Sequence, residues 1–373
     1  MNPENKLCVI TNIGSHYRYP VFSAMYRTFV CHFYLGNRVG TPIKTFDYRT
    51  LGGYRGTLTN IYFGPFYWQR GSVGLVFKPY RYYILDGEPF CLSSWMILLL
   101  AKLAGKQTIA WTHGWYGRET PIKRVVKKLF YGLHSRLMVY SEYAIGLMER
   151  EGLPRRKMYC IANSMDSDSE RAIRHRLVPT DIYCRHFGND HPTIIYCGRI
   201  QRAKRLEMLV DCAAMLKTEG RPVNIVFVGK DVEGVGIEAY AARRHMQNHV
   251  WMYGPCYDDR TLGELFYNAC ACVSPGNVGL TAIHALSFGC PVVTHGNFPY
   301  QGPEFEAIRP GITGSFFEQG SVQSMKHEIE HWMAVDPVER EEIRRRAFEE
   351  IDRKWNIRHQ IAVIGQVLAD MES

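Results

Sequence analysis

The sequence predicts an α/β protein of two domains, each built on a doubly wound parallel sheet. Three observations predict it. Short apolar runs alternate with helical stretches in two series, at 82–161 and at 193–294. Such alternation builds a parallel sheet with helices on its faces. A polar, charged and weakly periodic segment, 164–192, separates the two series and reads as a linker. The length of 373 residues suffices for two cores.

Residues 6–12 read as the first strand, and Gly14 opens the loop after it. Tyr17-Arg18-Tyr19-Pro20 leads into a short helix with proline near its first turn. Residues 29–35 read as the second strand. The segment 37–80 is rich in Gly, Tyr and Phe, and is expected to hold loops with one or two strands, among them 58–63. Strands then follow at 82–85, 107–112, 137–140 and 158–161, with helices at 90–104, 121–133 and 142–151 between them. The second series places strands at 193–197, 224–229, 250–253, 271–274 and 291–294. Its helices are expected at 204–218, 236–247, 259–268 and 280–288. Helical segments at 321–334, 337–352 and 356–371 close the chain. In open α/β sheets ligands sit beyond the C-terminal strand ends, where Gly14, His113, Gly198 and Gly276 all fall.

Composition narrows the class. Lys and Arg exceed Asp and Glu by 45 to 36, a net charge of +9. That permits an anionic partner without specifying one, and no nucleic-acid partner is expected. Eleven cysteines include no C-x-x-C pair. Most lie in apolar runs, as Cys197 and Cys272 do, and read as free buried thiols of a reducing cytosol. The apolar run at 7–13 is too short for a secretory signal. The longest, 90–104, is broken by Ser93, Ser94 and Lys102 and falls short of the roughly 20 residues that span a bilayer. It reads as a buried helix.

The stretch 270–314 carries the sharpest signal. A short apolar strand ends at Ser274, Pro275-Gly276-Asn277 breaks the chain, and helical spacing resumes at Leu280. Gly289 stands at the expected left-handed cap and Pro291 forbids continuation. A glycine loop thus meets a helix N-terminus, whose free amides and dipole suit an anion such as a phosphate. Earlier, Gly198-Arg199-Ile200 follows a strand and Lys204 precedes a helix. Two cations there can face a diphosphate together.

These motifs in combination resemble the C-terminal half of family-4 glycosyltransferases of GT-B fold: G-R-I-x3-K after a strand, S-P-G-N-V-G-L-x3-H-A-L-x2-G-x-P-V-V, then P-E-F-E-A-I-x2-G-x-T-G. The N-terminal half agrees less sharply, through Gly14, Trp111-Thr112-His113-Gly114 and Ala162-Asn163-Ser164-Met165-Asp166. The resemblance implies two Rossmann-like domains facing a cleft. Residues 1–175 would form the acceptor side, 176–352 would bind the donor, and 353–373 would cross back to the first domain. It implies a retaining, metal-independent hexosyltransferase in polysaccharide or glycoconjugate biosynthesis. The donor would be a nucleotide-diphosphate sugar, with UDP preferred to GDP, and the acceptor a glycan or lipid-linked glycan. No cofactor or metal is implied. Asp166-Ser167-Asp168 spells D-x-D, but it opens the linker and is not read as a metal site.

The resemblance also assigns residues. Arg199 and Lys204 would neutralise the leaving diphosphate, and His113 would stand against the donor sugar. Gly14, Gly198, the loop Gly276, Asn277, Val278, Gly279 and Leu280, and Glu304 would contact the donor. One departure stands out. The family's Glu-x7-Glu pair aligns with Gly276 and His284. Gly276 would leave room in the pocket or leave its role to Asn277, Glu304 or Glu306, and His284 would take a ribose contact through a ring nitrogen. Two rival readings stay open: a nucleotide-sugar-binding protein without transfer, and an epimerase or hydrolase of the nucleotide sugar.

The helix at 121–133 is amphipathic. Lys123, Arg124, Lys127 and Lys128 lie on one side, and Ile122, Val125, Val126, Leu129 and Phe130 on the other. The basic side is expected to dock on an anionic lipid surface, which would place a cytoplasmic protein peripherally on the inner face of the membrane.

Overall fold

The computed structural model describes residues 6–40 and 43–372. In chain order the strands and helices are β1 (Lys6–Thr11), α1 (Tyr19–Phe29), β2 (Cys31–Gly36), β3 (Tyr54–Phe63), β4 (Phe66–Arg70), β5 (Tyr80–Asp86), α2 (Leu92–Leu103), β6 (Gln107–Thr112), α3 (Pro121–Leu133), β7 (Arg136–Val139), α4 (Glu142–Arg150) and β8 (Met158–Cys160). They continue with α5 (Ser167–Arg174), α6 (Ile182–Phe187), β9 (Thr193–Cys197), α7 (Glu207–Thr218), β10 (Asn224–Val228), α8 (Ile237–Arg243), β11 (Val250–Gly254), α9 (Asp259–Asn268), β12 (Ala271–Ser274), α10 (Leu280–Ser287), β13 (Val292–His295), β14 (Gly314–Phe317), α11 (Val322–Met333), α12 (Pro337–Arg353) and α13 (Ile357–Glu372).

Contacts divide the chain into two units. One runs to Asp166 and resumes at Asn356; the other spans Ser167–Trp355. The first is built on an eight-stranded sheet of order β4-β3-β2-β1-β5-β6-β7-β8. Its strands are parallel except β4, which pairs antiparallel with β3. The strands read as apolar runs because both faces are covered, and Leu7, Cys8, Val9, Tyr82, Tyr83 and Ile109 are fully buried. From the C-terminal helix α13, Ile364, Val367 and Leu368 join this unit's core beside Val21 and Phe22 of α1. The second unit holds a six-stranded parallel sheet, β11-β10-β9-β12-β13-β14. Its core joins β9 and β10 to α7 and α11 through residues such as Ile194, Phe227, Leu209 and Ile329.

Most expected elements lie within a few residues of where the apolar periodicity puts them. Three regions differ. The segment 37–80 forms a long hairpin, β3 and β4, turned at Gly64-Pro65. Half of its side chains face solvent, so no apolar run marks it. The expected linker 164–192 contains α5 and α6. Helix α5 buries Glu170 and Arg174, and so has no apolar stripe to read. Asp168 sits in its first turn, where a carboxylate favours the helix dipole.

The third difference concerns α2 and α3. The run at 90–104 is not wholly buried: Leu92, Met96, Leu99 and Leu103 are exposed. On α3 the apolar side is not core either. Ile122, Val125, Val126 and Leu129 are exposed, and only Phe130 and Tyr131 are buried. Lys127, expected on the solvated basic side, turns inward. Its Nζ donates to Glu119 Oε1 at 2.7 Å and to the Gly114 carbonyl at 2.8 Å.

All eleven cysteines are free, and seven of them are buried. No described helix is long and apolar enough to cross a membrane.

Candidate functional site

In each sheet the strand order reverses once. The reversal lies between β1 and β5 in the first unit and between β9 and β12 in the second. At such a point the loops leaving adjacent strands run in opposite directions and open a crevice at the C-terminal strand ends. The second crevice is the richer. Gly198-Arg199 leaves β9, and Pro275 to Gly279 leaves β12.

The loop after β9 is shaped by glycine. Gly198 takes φ +148°, and its N–H donates to the Val228 carbonyl at 2.9 Å. The neighbouring Gly229 packs so closely that a Cβ there would lie 1.9 Å from the Gly198 oxygen. Residues 202–204 then make one 3-10 turn, ended by Arg205 in the left-handed region at φ 52°. That turn aims Lys204 at the loop after β12. Its Nζ donates to the Asn277 carbonyl at 2.6 Å and to Asn277 Oδ1 at 3.0 Å.

Gly276 does not leave room. A Cβ there would sit 2.5 Å from the Ala203 oxygen and 2.7 Å from Lys204 Cα, both backbone atoms. The glycine is what allows the two loops to touch, and a glutamate at this position has no space in this arrangement. The loop is held from behind by Gln301, which is 4% exposed. Gln301 Oε1 accepts the Val278 N–H at 2.7 Å, and Nε2 donates to Thr294 Oγ1 at 3.0 Å and to the His295 carbonyl at 2.8 Å. Thr294 Oγ1 in turn lies 2.9 Å from the Ser274 carbonyl and 3.2 Å from that of Gly276. The helix that follows, α10, has no side-chain cap at Gly279, whereas Thr120, Ser141 and Asp258 cap α3, α4 and α9. Ala282 donates back to the Gly279 carbonyl at 2.9 Å, and the Leu280 and Thr281 amides are left for another acceptor.

Burial and then the Arg199 charge lower the Lys204 pKa to about 8, with Glu304 opposing. Arg199 is exposed, and Glu304 is buried beside Gly302. His295 is buried too. Desolvation, then Arg205 and Lys204, holds its pKa down to about 4. Burial is the larger cause for both groups, and the positive charge beside them, the smaller one, is what an incoming anion would relieve.

His284 lies elsewhere. Its ring is 6% exposed, 5.4 Å from Phe266 and 5.3 Å from Phe288 between ring centroids. Nε2 stands 3.5 Å from Glu170 Oε1 and 3.8 Å from Asp259 Oδ1. Burial lowers its pKa to about 4. The expected ribose contact would have to be made by a side chain that packs α10 against α5 and α9.

The crevice of the first unit collects residues that sequence reasoning mostly missed. The Gly14 amide, expected to meet the donor, donates to Tyr48 Oη at 2.9 Å, and a Cβ there would meet the Tyr48 ring at 2.6 Å. Gly14 therefore seats Tyr48. At the end of β5, Asp86 accepts the Asn12 N–H. Glu88 Oε2 accepts from Asn12 Nδ2 at 3.3 Å and from Tyr67 Oη at 3.2 Å. Burial and the neighbouring Glu88 raise the Asp86 pKa to about 7, against Arg18. Arg18 donates to Tyr140 Oη and lies 4.7 Å from the Trp111 ring. His113 follows β6 and packs 4.7 Å from the Tyr140 ring. The His113 ring keeps solvent contact, but the chain around it, then Arg18 and Lys127, holds its pKa to about 4. It is neutral at pH 7. Asp86 and Glu88 were findable as two carboxylates closing the run 82–85; Arg18 and Gln301 carry no sequence signal of their own.

Residues 185–355 match the family Glycosyl transferases group 1. The second unit carries that domain. No curated protein matches the chain. Solved structures are similar in fold. HepE of Anabaena, in complex with UDP, is 14% identical, with a TM-score of 0.73 over 98% of this chain and 100% of that one. A glycosyltransferase from Rickettsia africae is 15% identical, with a TM-score of 0.75 over the whole of both chains. Sucrose-phosphate synthase from Thermosynechococcus elongatus is 16% identical, with a TM-score of 0.69 over 98% and 99%. The fold is GT-B.

Proposed function

We propose that the protein is a retaining, metal-independent hexosyltransferase. It would move a sugar from a UDP-sugar to a glycan or lipid-linked glycan acceptor. The observation that carries this reading is the meeting of Arg199, Lys204 and the uncapped end of α10 at one crevice. The bond from the anomeric carbon to the diphosphate oxygen breaks, and its electron pair leaves with UDP. The growing negative charge falls on the two cations and the first amides of α10, preset donors of the kind that stabilise a transition state more than a ground state. The acceptor hydroxyl adds from the face the diphosphate leaves, and its proton passes to the departing phosphate oxygen. His113, neutral at pH 7, suits a hydrogen bond to a sugar hydroxyl.

UDP is favoured because HepE was solved with UDP and with UDP-glucose. A lipid-linked acceptor is favoured by the cations of α3, which suit a protein that works at the cytoplasmic face of a membrane. A binding protein without transfer is the second reading. Gly276 supports it, since no carboxylate fits at that position.

The test is incubation with a panel of nucleotide sugars, with and without glycan and lipid-linked acceptors. Transfer supports the first reading. Binding without turnover supports the second. Acceptor-free turnover would overturn both in favour of an epimerase or hydrolase.

A further inference from the structure

The apolar residues of α2 and α3 that the core does not take form two regular stripes. On α2, Leu92, Met96, Leu99 and Leu103 recur every third or fourth residue and are all exposed, Leu103 by 85%. On α3, Ile122, Val125, Val126 and Leu129 share one helical face and are likewise exposed, Ile122 by 77%. The helices are neighbours, with Trp95 and Phe130 rings 5.0 Å apart. Exposed Phe66 and Phe90, 6.0 Å apart, continue the first stripe at its N-terminal end. Soluble surfaces scatter such residues singly; a contiguous set marks something that covers it.

Charge says what covers it. Neither helix contains a carboxylate, while Lys102, Lys123, Arg124 and Lys128 all face solvent. Of these, Arg124 lies 3.5 Å from half-buried Glu151, a surface pair of modest strength. Lys127, Phe130 and Tyr131 fix the roll of α3 by facing inward, so the outward set is imposed by the fold. A second copy of the chain would bring like charges together across a two-fold contact. An anionic bilayer surface meets both needs, since its headgroups take the cations and its acyl boundary takes the apolar side chains.

We propose that α2 and α3 together form a membrane-insertion face that seats in the headgroup–acyl boundary of an anionic bilayer. The attraction is therefore mainly apolar, with the lysines selecting the lipid. This deepens the reading of a membrane-held acceptor and rests on it for its purpose. Vesicle binding needs no donor and no transfer, so the two can fail separately.

The experiment is co-sedimentation of the full chain with phosphatidylglycerol–phosphatidylcholine vesicles and with pure phosphatidylcholine vesicles, at low and high salt. Val125→Ser with Leu129→Ser, and Leu99→Ser with Leu103→Ser, should each weaken binding roughly tenfold or more at both salts. Their melting temperatures should not change, because the sites are exposed. Lys123→Gln, Arg124→Gln and Lys128→Gln together should erase the preference for phosphatidylglycerol. Absence of vesicle binding in the unaltered protein would overturn the proposal. So would serine variants that bind as the parent does. Sedimentation velocity showing a dimer that the serine variants dissolve, with vesicle binding intact, would assign the face to a second copy instead.

Discussion

Lys204 reaches from the loop after β9 to Asn277 on the loop after β12, its Nζ 2.6 Å from one oxygen and 3.0 Å from the other. With its pKa near 8, the ammonium is charged below that pH and loses its charge above it. Donor capture, read as kcat/KM in the free enzyme, should therefore fall as pH rises through about 8. Lys204→Arg should keep its charge and remove the fall. Lys204→Ala should lower turnover roughly 10²–10³-fold, the scale of one preset donor. An alkaline limb that survives in Lys204→Arg would assign it to another group.

Gly276 makes that contact possible, and the chain pays for any side chain there. Gly276→Ala places a methyl 2.5 Å from the Ala203 oxygen, and backbone cannot step aside cheaply. Overpacking of this kind costs about 1–3 kcal/mol. The variant should melt lower and bind donor more weakly, because Lys204 moves with the backbone it displaces. Gly276→Glu should be worse on both counts. Gly279→Ala, three residues on, meets nothing within 4 Å and is the control. If both alanine variants melt together, the close approach carries no weight.

Much of this is legible in the sequence. Apolar alternation marks most strands of both sheets, and the glycines at 198 and 276 mark where the second one reverses. What stayed hidden depends on distance. Gly276 reads as an empty place in the sequence, because its neighbours Ala203 and Lys204 come from a loop more than seventy positions away. Gln301 has no pattern at all; only its three hydrogen bonds identify it as the support of the loop. On α3 the periodicity is correct and its usual interpretation is not, since an apolar stripe predicts burial only where another element covers it.

His284 is a case where a motif position and its surroundings part company. The side chain is buried with Nε2 3.5 Å from Glu170 Oε1. Introducing a carboxylate here with His284→Glu would set two buried acids against each other. The expected result is destabilisation on the order of 3 kcal/mol, read as a lower denaturation midpoint. The pH dependence follows from the lowered pKa. The unfolded chain binds this proton near 6.5 and the folded one near 4, so stability present above about 6.5 is lost as pH falls toward 4. His284→Gln should flatten the curve between those values. Donor KM should change little in His284→Gln; a several-fold rise with stability unchanged would return the ring to the ribose.

The last expectation concerns metal. A diphosphate leaving group needs positive charge nearby, and enzymes supply it from side chains or from a bound divalent ion. Here Arg199 and Lys204 stand close enough for Arg199 to depress the lysine pKa, and an uncapped helix end joins them. On the proposed reading these two cations and a set of amides would take the place of a bridging ion. Transfer should continue at the same rate in excess EDTA after desalting. Arg199→Ala should then do what chelation does not, lowering turnover roughly 10²-fold by leaving one cation to carry the charge. Adding Mg²⁺ to that variant offers a discriminating readout. Partial recovery would show a metal taking the place of the missing guanidinium, as the assignment requires. Loss of the parent activity in EDTA, restored by Mg²⁺ or Mn²⁺, would instead bring Asp166 and Asp168 back as ligands and remove Arg199 and Lys204 from the centre of the mechanism.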